Sequence, residues 1–502
     1  MNSHQLRLFV LWLSRSSATL LALFACNHVA FATVVGGFIT SDTHWQIADS
    51  PFIASSSVLV DGAARLTIDP GVEVRFAPTT GLVIVDGILS ARGTTELPIM
   101  FRADQAGDLQ RWNGIRLGAN TADAIYDTEG GFLDGSILEH VDLTGVASHS
   151  NGSIRIESSN PFIHSSVIHN NLSSAISVTG ANGLRIGGNK LHNNAVNTND
   201  GVWGGGIVVN SSASVIISDN EITNNSSPGG SGIYVHASDD VLITDNLIES
   251  NKGYSSIEIL YGQEVALTRN TILGHGPRNP SPQSSVAAIS MNGGSDIVLL
   301  CNLVSGNNSV AAIQVMGSNR ITLQGDEISN NQGDGIRLLQ NVRSAVLSQT
   351  SVNPTAIFGN TGLAIRNDQL FEVTTDPLAR GNVDARKVWW GTTDMGSIEE
   401  SVLDFFDDSF KGIVFLDPIA SANPIDGDYN LDNVVDAGDY VAWRDALGAA
   451  FSAGDYEIWR ANFGSTATSG SILITVPEPT TGILVAACAL MMSFRRLRSS
   501  NR

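Results

Sequence analysis

The chain has 502 residues, a net charge of −21 and only 15% charged side chains. So acidic a surface repels phosphate, which excludes nucleic acid and anionic lipid as natural partners. It also disfavours bare polyuronates unless Ca²⁺ or a local basic cleft intervenes. The 50 glycines suit a fold with many tight turns, and repeat architectures escape the usual limit on single-core size.

Residues 1–32 read as a signal peptide. His4 and Arg7 give a weak basic start, Ala18 to Ala25 forms the apolar segment, and Ala30-Phe-Ala32 is an A-x-A cleavage box. Leu23 to Cys26 is an alternative processing site of lipobox type. Cys26 and Cys488 both lie in terminal segments that maturation removes. Cys301 then remains without an intramolecular disulfide partner and is expected to be a packed structural thiol.

From Val58 to Phe101 short alternating runs predict irregular β coils: Leu66–Ile68, Glu73–Phe76, Leu82–Val85 and Ile99–Phe101. Asp69-Pro-Gly-Val72 supplies a turn between them, and Trp112-Asn-Gly-Ile-Arg116 opens a further coil.

Seven stretches then align without gaps. They are Ala175-Ile-Ser-Val, Gly206-Ile-Val-Val, Gly232-Ile-Tyr-Val, Ser256-Ile-Glu-Ile, Ala288-Ile-Ser-Met, Ala312-Ile-Gln-Val and Gly335-Ile-Arg-Leu, spaced 31, 26, 24, 32, 24 and 23 residues apart. Fourteen residues after each start comes Asn189, Asn220, Asn246, Asn270, Asn302, Asp326 or Gln349. Periods of this length mean stacked coils, each too small to bury its own apolar face. Within a coil the apolar residues alternate with period two, and helical period is missing. Recurring Asn at one turn predicts a ladder in which each amide bonds the same amide one coil away. Asn also tolerates the left-handed backbone that tight turns need.

The rhythm of Val241-Leu-Ile-Thr-Asp-Asn-Leu-Ile-Glu-Ser-Asn251 resembles the repeat of right-handed parallel β-helices, the pectin-lyase-like solenoids. The resemblance covers roughly Phe52 to Pro418. It implies an all-β solenoid over residues 33–424, but says little about function, because such folds host unrelated activities. Val388-Trp-Trp-Gly-Thr392, an amphipathic stretch from Ser397 to Phe406, and Gly412 to Pro418 resemble the closing cap of secreted β-helices. A cap is expected, since an open solenoid end exposes a strand edge.

Residues 425–464 carry a different pattern. Counted from Asp428, a twelve-residue loop places Asp428, Asn430 and Asp432 at positions 1, 3 and 5, the Val434 carbonyl at 7, Asp436 at 9 and Asp439 at 12. Ca²⁺ takes six to eight hard oxygens, and this spacing wraps them round one ion. Asn433 stands where such loops usually have Gly, and Val435 is the apolar anchor. Asp at position 12 and a following helix resemble a dockerin type I module. Ala437 to Gly448 matches Ala453 to Gly464 at a sixteen-residue offset, but Arg444, Ala446, Gly448 and Ser452 replace the second set of ligands. One Ca²⁺ is therefore expected. Two paired helices would present Tyr440/Trp443 and Tyr456/Trp459. The resemblance allows a cohesin-like scaffold as partner, or a Ca²⁺-stabilised spacer without one.

Residues 465–475 form a flexible linker. Residues 476–502 then combine Pro477-Glu478-Pro479, an apolar run from Gly482 to Phe494 and a basic cluster that includes Arg495 and Arg496. This tail resembles a PEP-CTERM sorting signal. The resemblance implies a transient C-terminal anchor in the inner membrane, basic side inward, and processing by an exosortase.

No active site is assigned. Asn197 to Asp200, Asp239-Asp240, Gly274-His275-Gly276 and Arg320 to Thr322 follow the order of polygalacturonase motifs. Their offsets within the coils place them at different corners, where two carboxylates could not straddle one bond. Arg185, Arg269, Arg320, Arg337 and Arg366 share no register with an acidic trio. His164, His169 and His192 read as scattered turn residues. Inserts at Ala195–Gly205, with Trp203, and at His275–Ser285 mark the face where a glycan cleft is expected. The sequence thus points to an exported surface or matrix β-helix protein that binds polysaccharide. The alternatives are a dockerin-borne polysaccharide lyase or glycoside hydrolase, and a structural or adhesion protein.

Overall fold

A computed structural model describes residues 32–466, apart from 108–109, 148–151, 197–203, 279–285, 349–353, 371–375, 421–426, 430–433 and 446–452. The signal segment before residue 32 and all of the sorting signal, from Pro477 to Arg496 and beyond, lie outside the described residues. So do Asn430, Asp432, Trp203 and Gln349.

Short strands wind into parallel coils. One coil runs through Ile176–Thr179, Arg185–Gly187 and Lys190–His192. The next runs through Ile207–Asn210, Ala213–Ser218 and Glu221–Thr223. Each strand pairs in parallel with its equivalent one coil on: Ile176 with Ile207, Ile186 with Ile217, Leu191 with Ile222. Three faces result, here called the first, second and third sheets. Because side chains alternate across a strand, Ile176, Val178, Ile186 and Leu191 point inward and are fully buried. Each such side chain contributes about 1.5–3 kcal/mol by leaving water. The core changes character along the axis. Trp45 stacks on Phe52 and Phe76 on Trp112 in the early coils, whereas aliphatic side chains, chiefly Ile, Val and Leu, fill the core from Leu138 to Val383.

The corner between the second and third sheets carries the amide ladder. Asn220 donates its backbone N–H and its Nδ2 to Asn246 Oδ1, both at 3.0 Å, and its Nδ2 also reaches Ile186 O at 3.1 Å. The same pattern links Asn189 to Asn220, Asn246 to Asn270, Asn270 to Asn302, and Asn302 to Asp326. The left-handed residue is the one before each ladder amide, not the amide itself: Gly188, Asp219, Asp245, Arg269, Cys301 and Gly325 all have positive φ. That residue turns the chain, so the amide can point inward along the stack. Cys301 is accordingly exposed rather than packed.

A second ladder, not anticipated, follows the third sheet. Asn171, Asn194, Asn225 and Asn251 bond in series. Asn307, Asn331 and Asn360 continue the series beyond His275. His275 takes an amide's place between the two runs: its N–H donates to Asn307 Oδ1 at 2.9 Å, and its Nδ1 lies 2.8 Å from Asn251 O.

At the C-terminal end a helix, Met395–Glu400, is capped by Asp394, which accepts the Ser397 N–H. It is shorter than the amphipathic stretch expected to run to Phe406. Ile365–Asn367 offers a strand edge, and Val402–Leu403 pairs there instead of continuing the helix. Helices Ala437–Asp445 and Ala453–Asn462 follow. Their rings face one another: Tyr440 lies 5.2 Å from Trp459, Trp443 lies 5.2 Å from Tyr456, and both pairs tilt by 44°. The four aromatic side chains form the contact between the helices; Trp459 is buried, and Tyr440, Trp443 and Tyr456 stay partly exposed.

Candidate functional site

The outward positions of the first sheet form one column in register: Ser177, Val208, Tyr234, Glu258, Ser290 and Gln314. Such positions normally face solvent, yet Tyr234 is 8% exposed and Ser290 3%. The cause is the chain arriving from the third sheet, which crosses the face before it joins the next strand. Glycine permits the close crossing. A Cβ on Gly204 would lie 2.3 Å from Val208 Cγ2, and one on Gly230 would lie 2.5 Å from Ile233 O and 3.1 Å from Glu258 Cβ.

Glu258 sits beneath this crossing without a basic partner among the described residues. Its Oε2 is buried and has no hydrogen-bond partner. Desolvation pushes its carboxyl up to about 7, opposed only by the Gly230 N–H, which donates to it. Tyr234 is pushed up to about 12, chiefly by burial and further by the Glu258 charge. Tyr254 is raised by the same two causes in the same order. The residue as a whole stays partly exposed, and Tyr254 and Tyr261 show 37% and 57% of their surface to solvent. His236 continues the aromatic set. Its ring stacks on Tyr234 at 6.1 Å, and its Nδ1 lies 2.8 Å from Asn210 Oδ1. The site lies between the coils that carry the two inserts, the face the sequence singled out, although the insert tips are outside the described residues. Glu258 and Tyr234 were nonetheless missed. Both stand at the third position of the aligned stretches, where a tyrosine and a carboxyl replace small or aliphatic neighbours.

The polygalacturonase-like residues do not converge. His275 is sealed in the second ladder, and burial lowers its pKa to about 4. Asp239 and Asp240 are exposed on the second sheet. Arg320 is tied to Asp296. Residues 197–200 are outside the described residues. Among the other arginines, Arg269 pairs with Asp245, Arg337 with Asp368 and Arg366 with Asp334. Arg185 stacks over the Tyr126 ring at 4.1 Å. The histidines are ordered rather than scattered. His169 stacks on His192 at 5.0 Å, and His164 stacks on Phe162 at 5.1 Å. In the Ca²⁺-type loop Asp428, Val435 and Asp439 are buried, the Asp436 N–H donates to Asp439 Oδ2 at 2.7 Å, and Trp459 Nε1 donates to Asp436 O at 2.7 Å. Buried carboxyl groups beside an apolar anchor fit a hard cation. Among the described residues no cluster of three or more acidic, histidine or cysteine side chains forms a metal site.

Residues 125–279 match the family described as right handed beta helix region. The parallel coils described above have the architecture that this description names. A 74-residue stretch is 40% identical to the Drosophila melanogaster protein bark beetle, covering 15% of this chain and only 2% of that much longer relative. Among solved structures, the periplasmic alginate epimerase AlgG matches with a TM-score of 0.39 at 13% identity, covering 68% of this chain and 75% of that one. An alginate lyase from Paenibacillus sp. str. FPU-7 matches with 0.33 at 17% identity over 61% of this chain and 91% of the other. The Streptococcus pneumoniae surface adhesin PfbA matches with 0.32 at 11% identity over 70% and 86%.

Proposed function

We propose that this β-helix is an exported surface or matrix protein that binds polysaccharide along the outer face of its first sheet. The observation that supports it is the juxtaposition of tyrosine rings with one partly exposed glutamate, whose Oε2 accepts no hydrogen bond, on an otherwise regular solenoid. Sugars take apolar contact from rings and hydrogen bonds from a few fixed polar groups. Tyr254 and Tyr261 are exposed beside that face and offer the rings. Glu258 has no second carboxyl in its column from Ser177 to Gln314. That favours binding over hydrolysis by a carboxyl pair.

In this reading residues 1–32 direct export, and Pro477–Pro479 with Arg495 and Arg496 direct exosortase sorting through a transient inner-membrane stage. Asp428, Asn430, Asp432, Val434, Asp436 and Asp439 hold one Ca²⁺ that orders the helical module. The mature protein, incubated with a polysaccharide panel with and without Ca²⁺, should be retained by at least one glycan. It should release neither new reducing ends nor unsaturated product. Product in either channel would replace this reading with an enzymatic one. Silence together with no retention would leave a structural protein.

A further inference from the structure

Several part-buried carboxyl groups on the flanks of this solenoid carry a cation. Glu73 holds Arg75 and Arg102, Glu139 holds Arg92, Asp245 holds Arg269, Asp334 holds Arg366, and Asp368 holds Arg337 and Lys411. Glu258, with a buried Oε2 that accepts no hydrogen bond, has none among the described residues. Among the described residues, the following groups face it. Tyr234 and Ser290 flank it in the column, Gly230 crosses above it, and Tyr254 lies close enough to feel its charge. Two positions away on the neighbouring strands stand His236 and Asn292, beside Leu260. His236 already engages Asn210. None of these groups supplies a fixed positive charge.

We propose that this site is completed by a cation from outside, the ammonium group of an amino-sugar residue in a polysaccharide. The inference rests on the glycan-binding reading and specifies its ligand class. A desolvated carboxyl beside aromatic rings is the setting in which an ammonium group is held best, by charge from one side and by ring quadrupoles from the other. The net charge of −21 draws cationic polymers towards the surface and repels anionic ones. A uronate would meet Glu258 with no basic group to offset either charge. An N-acetylated sugar would meet the rings equally well but leave the carboxyl unpaired. Binding the ammonium group drives the proton off Glu258, so affinity for the amine should fall in acid, where Glu258 keeps its proton, and in base, where the amine loses its own.

The test uses the mature chain and three short oligomers: glucosamine with free amines, its N-acetylated counterpart, and galacturonate. Calorimetric titration at pH 7 is run on the wild type, Glu258→Gln and Glu249→Gln. The last removes an equal charge from an exposed position on the third sheet. The wild type should bind the free amine about ten-fold or more tighter than the N-acetylated oligomer. Glu258→Gln should abolish that preference while keeping the N-acetylated affinity, and Glu249→Gln should keep the preference. Equal wild-type affinities, a preference for the uronate, or a preference lost equally in both variants would overturn the amine assignment and leave glycan binding intact. Failure to bind any of the three would overturn both for these glycans. Unchanged thermal unfolding of Glu258→Gln would confirm that the fold is not the cause.

Discussion

Two regions of the solenoid each bury a carboxyl group, and they do so to opposite ends. Asp326 closes the amide ladder between the second and third sheets. It accepts from the Asn302 N–H and Nδ2, both at 2.8 Å, and from the Gln324 N–H at 3.1 Å. Glu258, on the outer face of the first sheet, has an oxygen that accepts nothing. Desolvation drives both up to about 7. The raised pKa alone therefore does not separate a structural carboxyl from an available one. The surrounding donors do. Asp326 is saturated by the chain and stands in for an asparagine, whereas Glu258 keeps bonding capacity for a ligand.

The largest effect should come from breaking the donor set around Asp326. Asn302→Ala strips the acceptor from the Asn270 N–H and Nδ2, at 2.9 and 3.0 Å, and one donor from Asp326. Several buried polar groups are orphaned, and the loss should be about 3–5 kcal/mol by denaturant unfolding. A loss below about 1 kcal/mol would mean that the ladder is ornamental.

Asp326→Asn should act next. A carboxyl whose pKa is raised in the folded state contributes its stability in full below about pH 4. That contribution is lost as pH climbs through about 7. The amide has no such loss. The variant should therefore gain about 1–3 kcal/mol over wild type at pH 8 and show little difference at pH 4. A difference independent of pH would show that Asp326 does not hold a proton.

His275 in the second ladder works with the opposite sign. Its pKa is lowered to about 4 by burial, so its contribution is present above about 6.5 and lost as pH falls towards 4. His275→Asn, which restores an amide to that ladder, should flatten the wild-type decline and gain about 1–2 kcal/mol at pH 4.5. Melting curves of the two proteins across pH 4–7 would show it. Glu258→Gln should have the smallest effect on stability, within about 1 kcal/mol of wild type at pH 5 and slightly above it at pH 8. A loss comparable to that of Asn302→Ala would place Glu258 on the structural side of the comparison.

The sequence made the coils legible because Asn recurs fourteen residues after five of the seven starts. The second ladder was equally open to reading. Asn194, Asn225, Asn251, Asn307 and Asn331 all stand nineteen residues after their starts, the offset that His275 shares. The left-handed turn residue was harder to place. Gly, Asp, Arg and Cys all fill it, so its composition does not announce its conformation. Glu258 was hidden for another reason. Period two marks it as outward, hence solvated, and its burial depends on a crossing segment whose path only the folded coil reveals. Tyr440, Trp443, Tyr456 and Trp459 were legible from their spacing, but the contacts that they make with one another across the two helices were not.

The bonds between coils run along the long axis of the molecule. Stretched between its two ends, the solenoid would load them one rung at a time and not all together, so resistance should be serial. Each event would release one coil of about 24 residues, roughly 80 Å of extended chain, while the coils beyond it stay wound. A chain tethered at one end and holding a polymer on its flank could thus lengthen in steps under tension and rewind when the load falls.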